Sequence, residues 1–340
     1  MTIQKNISLT SFNTFGLQAT AKEFTTIQSI EDAQALLASD IFKNQPVLIL
    51  GGGSNILLTK NFDGLVAKVE IKGKEVIHND DENVLLKVGA GENWHELVMY
   101  CVDKDLGGIE NLSLIPGTMG AAPMQNIGAY GVEIKDVVES VEAIEISTGK
   151  VKTFSNADCN FGYRESIFKQ EAKNKFFISS VTLRLSKKNH RFNCSYGAVN
   201  ETMTTLGYDT PSVRAISEAV IHIRRSKLPD PSVIGNAGSF FKNPTIDADT
   251  YALLKKTYLD IPGYIAGNAM FKVPAAWLIE KCGWKGKRFD SIGVHQHQAL
   301  VLVNYGGGDG KKIWQLAMDI QISVKEKFNI TLQPEVNVIE

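Results

Sequence analysis

Ile115-Pro116-Gly117-Thr118-Met119-Gly120-Ala121-Ala122-Pro123-Met124-Gln125-Asn126-Ile127-Gly128-Ala129-Tyr130-Gly131 contains four glycines and almost no charge. A solvated loop is rarely composed this way. Small residues, uncharged donors and apolar side chains together suit a large, flat, partly apolar cofactor lying against backbone, with its phosphates held by amides. The competing reading is a tightly packed structural loop. Upstream of it, residues 84–88 read as a strand and Gly89-Ala90-Gly91 as a turn. A helix follows near Asn93, where Asn93 and Glu96 have capping-box spacing and Trp94, Leu97, Val98 and Cys101 share a face. Downstream, residues 138–146 and 176–185 read as strands around the turn Thr148-Gly149-Lys150. The arrangement is α+β, without the strand-helix alternation of a doubly wound sheet.

Further upstream, the apolar strand Val47–Leu50 breaks into Gly51-Gly52-Gly53-Ser54-Asn55. Consecutive unshielded N–H groups can cradle a phosphate or pyrophosphate, although a plain turn would look the same. No Gly-Lys-Ser/Thr follows, and Ile56 stands where a dinucleotide fingerprint needs its third glycine. An ATPase loop and an ordinary nicotinamide-binding fold are both weakened.

The chain has 340 residues, beyond one ordinary core, and 36 Lys+Arg against 37 Asp+Glu for a net charge of -1. It offers no basic field for nucleic acid or anionic membranes. No basic-then-apolar start and no membrane-length apolar run are present, so the expected compartment is the cytoplasm. Cys101, Cys159, Cys194 and Cys282 are widely spaced and read as reduced packing residues.

A third region opens at a helix with cap Thr210, first residue Pro211 and the stripe Val213, Ile216, Val220 and Ile223. Residues 274–282 form a short helix closed by Gly283. Residues 299–304 form a buried strand, Asp309 caps a long helix, and residues 336–339 form the closing strand. Within Phe161-Gly162-Tyr163-Arg164-Glu165-Ser166, Arg164 sits among aromatic and apolar neighbours, where a guanidinium can stabilise a developing anion; a half-buried Arg–Glu pair is the alternative. Ser166-x-x-Lys169 matches a β-lactamase nucleophile pattern, but that family's other two motifs are absent. Gly235-Asn236-Ala237-Gly238-Ser239 presents a serine after two glycines with no nucleophile elbow, so it reads as a donor or acid, or as a turn serine. Arg224, Arg225, Lys227, Lys285, Lys287 and Arg288 supply cations suited to a nucleotide diphosphate, although each run taken separately also reads as a solvated face. His295 and His297 share a face but lack a third ligand, so no metal is expected.

In this order the 117–131 loop, Tyr163-Arg164-Glu165-Ser166, residues 235–244 and Pro334-Glu335-Val336 resemble the UDP-N-acetylenolpyruvoylglucosamine reductase family over nearly the whole chain. The resemblance implies an FAD-binding fold of the vanillyl-alcohol-oxidase type. It would have two α+β flavin-binding domains, 1–69 and 70–209, with the C-terminal strand 330–340 returning to the latter, plus an α+β substrate-binding domain, 210–329. It further implies FAD held by Gly51, Gly52, Gly53, Ser54, Asn55, Gly117, Thr118, Gly120, Ala121 and Arg224. NADPH would be the reductant, and a small-molecule nucleotide sugar the substrate, on a monomer with ping-pong kinetics. Arg164 and Glu335 would then neutralise an enolate and Ser239 protonate it. Tyr196, in a loop marking one subgroup, together with Lys227, Asn243, Lys285 and Gln298, would grip the substrate. A flavin oxidase of the same fold and a noncatalytic flavin-binding protein are the alternatives.

Overall fold

The computed structural model describes every residue except Met1, Gly197 and Asn268. The chain separates into two units, each assembled from three stretches. The first comprises residues 1–7, 21–52 and 63–226, the second residues 8–20, 53–62 and 227–340.

In the first unit, one sheet runs in the order Gln4–Ser8, Thr20–Ile27, Phe62–Val69, Val47–Leu50. Its last pair is parallel, with Leu50 beside Lys68. The connecting helix Ile30–Ala38 starts at Ser29, whose side chain accepts from the Asp32 N–H. A second sheet is antiparallel, in the order Val151–Ser155, Val138–Glu145, Phe176–Ser186, Asn83–Gly89, Lys74–Asn79. Val84, Leu86 and Val88 alternate inward, as a half-buried strand requires, whereas the central strand Phe176–Ser186 is buried along most of its length. Helix Trp94–Asp103 lays Trp94, Leu97, Val98 and Cys101 into that core, and its predicted cap holds, with Asn93 Oδ1 accepting the Glu96 N–H at 3.0 Å. Trp94 satisfies its own indole N–H on the Leu112 carbonyl at 2.8 Å. The buried Cys101 and Cys159 are free thiols, both pushed up to about 12 chiefly by burial, so each is an inert packing group.

Helix Val213–Lys227 belongs to the first unit as far as Ser226 and does not open a separate region. Its stripe packs on Val199 and Met203. Ser212, rather than Thr210, provides the cap, accepting the Ala215 N–H at 3.1 Å; a serine immediately before the apolar stripe won over the Thr-Pro pair.

The second unit contains an antiparallel sheet in the order Gly235–Ser239, Val301–Asn304, Ile292–Val294, Arg288–Phe289. A smaller sheet, Thr245–Asp247, Met270–Lys272, Tyr264–Ile265, accompanies helix Ala248–Thr257. Helix Gly310–Phe328, capped by Asp309 as expected, buries Ile313, Leu316, Ile320, Val324 and Phe328. The C-terminal strand Asn337–Ile339 pairs in parallel with Ile56–Leu58 and does not return to the 70–209 segment. Leu332 and Val336 are buried with Leu57, Phe240 and Leu316, and that apolar burial carries the chain end to this partner. Among the described residues no helix is long and apolar enough to cross a membrane.

Candidate functional site

Both halves of the suspected cofactor cradle meet in the first unit. A Cβ added to Gly51 would lie 2.7 Å from Thr118 Oγ1, and one added to Gly52 would lie 2.7 Å from the Gly117 Cα. Two backbones therefore touch where any side chain would separate them, which is the close approach that a glycine pair permits. The Gly120 N–H is held by the Ala90 carbonyl and the Met119 N–H by the Glu92 carbonyl, both at 2.8 Å, so the 117–121 turn is pinned to the strand-turn-helix before it. Lys68 donates to the Gly51 carbonyl at 2.7 Å from the neighbouring strand.

Among the described residues of this unit three polar atoms are sealed from solvent without a partner, the Asn111 Oδ1 acceptor and two that could meet an anion, Thr118 Oγ1 and Arg224 Nε. Buried groups of this kind are ordinarily satisfied. Arg224 shares a hydrogen bond with Tyr130; burial works against its charge while the phenol opposes that effect, and burial in turn raises the Tyr130 phenol. A phosphate-bearing cofactor with oxygens for Thr118 and Arg224 would satisfy both atoms, so these residues fit FAD. Of the other expected cradle residues, Gly53, Ser54 and Asn55 belong to the second unit. There Gly53 backs onto the Phe12 carbonyl, and Asn55 Nδ2 donates to the Glu335 carbonyl at 3.2 Å.

Arg164, at φ +56, stands in the left-handed region, a conformation that costs a non-glycine residue about 1 kcal/mol or more. The surrounding turn is held in place. Arg164 Nη2 donates to the Gly128 carbonyl at 2.7 Å, Asn126 Nδ2 donates to the Gly162 carbonyl at 2.9 Å, and Ser166 Oγ donates to the Met124 carbonyl at 2.6 Å. Ser166 is thus a buried structural tie and cap, which disposes of the β-lactamase pattern. The glycine-rich loop therefore both lines the cradle and fixes the arginine.

In the second unit the pairing of Gly235–Ser239 with Val301–Asn304 slips between Asn236 and Ser239, a bulge. Gly238 sits at φ +69, its N–H held by Asn236 Oδ1 at 3.0 Å. Bulges re-aim side chains, and here the exposed Ser239 follows directly, while Phe240 and Phe241 are buried. The Glu335 N–H donates to the Phe240 carbonyl at 2.8 Å, and Phe241 bridges Pro334 antiparallel. Residues 239 and 335, a whole region apart in sequence, thereby stand on adjacent backbones.

The expected substrate residues are more scattered. Asn243 spends its oxygen on the Ala275 N–H, at 2.9 Å, so its Nδ2 is what it can offer a ligand. Lys285 is gripped by both oxygens of Glu280, at 3.0 and 3.1 Å. Lys227 is exposed at its helix end, Gln298 is half-buried at a strand entry, and Tyr196, in the first unit, is 55% exposed. His295 and His297 have ring centres 5.5 Å apart, and among the described residues no group of three metal-binding side chains forms. Sequence reasoning missed Lys68, Tyr130 and Asn126. Lys68 carried a signal, a single cation in the otherwise apolar Leu65-Val66-Ala67-Lys68-Val69; Tyr130 and Asn126 carried none.

Comparison with known proteins bears on the family and the fold. Residues 22–155 match the family described as FAD binding domain, and residues 230–339 match UDP-N-acetylenolpyruvoylglucosamine reductase, C-terminal domain. The chain is 53% identical over 340 residues to the UDP-N-acetylenolpyruvoylglucosamine reductase of Amoebophilus asiaticus and 49% identical over 339 residues to that of Flavobacterium johnsoniae, covering 100% of both relatives and 100% of itself. The crystal structure of the reductase from Thermus caldophilus superposes with a TM-score of 0.70 at 22% identity, covering 100% of each chain, and shows the same α+β fold. With such identity over its full length, this chain belongs to the UDP-N-acetylenolpyruvoylglucosamine reductase family and is an FAD-dependent oxidoreductase.

Proposed function

We propose that this protein uses NADPH to reduce the enolpyruvyl ether of UDP-N-acetylglucosamine to UDP-N-acetylmuramic acid for peptidoglycan synthesis, as a cytoplasmic monomer that binds no nucleic acid. The observation that carries the reading is the bulge that delivers Ser239 beside the Glu335 backbone. An oxidase of the same fold has no need of a serine and a carboxylate held in that register. In the domain reading, residues 1–69 and 70–209 bind flavin and 210–329 bind substrate, the observed units cutting across those limits.

FAD, when bound, would supply hydride transfer between NADPH and the terminal enolpyruvyl carbon. Gly51 to Asn55, Gly117 and Thr118 would hold its pyrophosphate through backbone N–H groups and the Thr118 hydroxyl, Gly120 and Ala121, whose N–H groups are spent on the Ala90 and Thr118 carbonyls, would line it by close approach, and Arg224 would add charge. Negative charge developing on the substrate carboxylate as an enolate is neutralised by the Arg164 guanidinium. Glu335 serves there only with a proton or a shared hydrogen bond, because a bare carboxylate would repel the enolate. Ser239 Oγ gives its proton to the adjacent carbon, and the serine is reprotonated from solvent or a neighbouring donor. Tyr196, Lys227, Asn243, Lys285 and Gln298 grip the uridine diphosphate and the carboxylate. For Lys285 that requires leaving Glu280, an exposed pair weak enough to exchange.

An anaerobic titration tests this reading. NADPH should bleach the flavin band and the enolpyruvyl nucleotide sugar should restore it. Restoration by admitted oxygen alone would reassign the protein as an oxidase.

A further inference from the structure

Lys68 lies in the strand Phe62–Val69 between residues that are almost wholly buried, Leu65, Val66 and Ala67 at 0% and Val69 at 6% exposure. Its own ammonium is partly buried, and desolvation pulls its pKa below the usual lysine value against the opposing pull of Glu70. A cation is held there at some cost, so what it touches matters. It donates to the Gly51 carbonyl at 2.7 Å, and Gly51 belongs to the glycine pair whose backbone presses on Thr118 and Gly117.

The Gly51–Gly52 peptide is trans. In a trans peptide the carbonyl and the following N–H point in opposite directions, so a carbonyl tied to Lys68 turns the Gly52 N–H away from Lys68. Neither glycine has a Cβ to restrain that peptide plane, so the carbonyl's partner helps to fix it. A charge on the carbonyl side also polarises the peptide and strengthens its N–H as a donor.

We infer that Lys68 is a positioning residue for the flavin pyrophosphate, locking the Gly51–Gly52 peptide with its N–H presented as an anion donor and placing a positive charge behind the loop. The inference rests on the assignment of the pyrophosphate to this cradle and adds a residue from the neighbouring strand to it. Lys68 acts through Gly51; no direct contact with the cofactor is required.

The test is FAD release from the purified holoenzyme, followed as the recovery of flavin fluorescence on dilution, together with the phosphorus NMR resonances of the bound cofactor. Lys68→Met should speed release about tenfold to hundredfold, the range expected for losing one charge-assisted hydrogen bond. It should also shift the pyrophosphate resonances and leave the melting of the flavin-free chain close to that of the parent, while Lys68→Arg should recover most of the affinity. Should Lys68→Met fail to fold, Lys68→Gln, which keeps a donor without the charge, carries the same test with a smaller expected effect. Release at the parent rate overturns the inference, as does faster release with unmoved phosphorus resonances and a matching loss of stability, the pattern of a merely structural lysine. Thr118→Val separates this from the reading beneath it. If Thr118→Val loosens FAD and Lys68→Met does not, Lys68 alone is misassigned; if neither does, the pyrophosphate is not in this cradle.

Discussion

Ser239 and Glu110 show how differently a single side chain can be read. Ser239 is exposed, follows a left-handed glycine and stands beside the Glu335 backbone, the setting of a donor that must reach a ligand. Ser239→Ala should leave NADPH-driven flavin bleaching at the parent rate and slow reoxidation by the enolpyruvyl substrate by about 10²–10⁴-fold, the usual worth of a general acid. Stopped-flow measurement of the two half-reactions checks it, and an equal loss in both would remove the acid role. Glu110, by contrast, is 3% exposed, and burial pushes its carboxyl above the usual glutamate range, partly offset by the Gly108 N–H donating at 2.6 Å. A group whose folded pKa lies above its unfolded one lends stability in full below the unfolded value and loses it as pH rises through the folded value. Glu110→Gln keeps an acceptor for Gly108 and removes the ionisation. Its melting temperature should match the parent's in acid and exceed it increasingly as pH climbs from the ordinary glutamate range towards neutrality. A gap that is constant with pH, or that widens in acid, would contradict the assignment.

Elements were legible wherever a short sequence carries its own physics. The cap at Asn93, the Gly283 stop and the Asp309 start all stand where local hydrogen-bond chemistry puts them. The bulge before Ser239 was not legible, because it is a relation between two strands: only the pairing of Gly235–Ser239 with Val301–Asn304 reveals the slipped register. The same holds for Asn126 and Tyr130, whose partners Gly162 and Arg224 are remote in sequence. The glycine cradle lies between these cases, legible as two glycine loops but not as two backbones in contact. Gly52→Ala tests that contact. The backbone at Gly52 is not in the left-handed region, so the methyl meets no left-handed strain and acts chiefly through its 2.7 Å approach to Gly117. Overpacking of this kind costs about 1–3 kcal/mol, here expressed chiefly as separation of the two loops. The variant should fold with a modestly lower melting temperature and bind FAD at least about tenfold more weakly, since about 1.4 kcal/mol is a factor of ten. Equilibrium titration of the flavin-free chain, read by fluorescence quenching, measures it.

At the scale of the whole molecule, the order of segments is what sequence reading could least supply. Composition suggested consecutive regions, yet each unit draws on three separated stretches. Phe15, Leu17 and Leu57, from early in the chain, are fully buried in the core built with Phe240, Leu302, Ile320 and Val336 from its far end. Asn304 Nδ2 reaches back to the Phe15 carbonyl at 2.8 Å, and the Asn236 N–H donates to the Thr14 carbonyl at 2.9 Å. Such pairings of high sequence separation leave no mark in local composition, which is why a boundary near residue 210 looked natural. They also predict how the chain responds to cutting. A fragment ending at Ser226 retains every stretch of the first unit but strips residues 8–20 and 53–62 of their partners. Each large apolar side chain so exposed forfeits about 1.5–3 kcal/mol of burial, enough over three residues to threaten a typical domain stability of about 5–15 kcal/mol. The fragment 1–226 should therefore be insoluble or melt without a cooperative transition, even with FAD added. Adding residues 227–340 as a separate chain should restore solubility and a cooperative melt, because it returns the partners those segments lack. A fragment that is soluble and melts cooperatively alone would mean that the early segments fold without the core they are buried in.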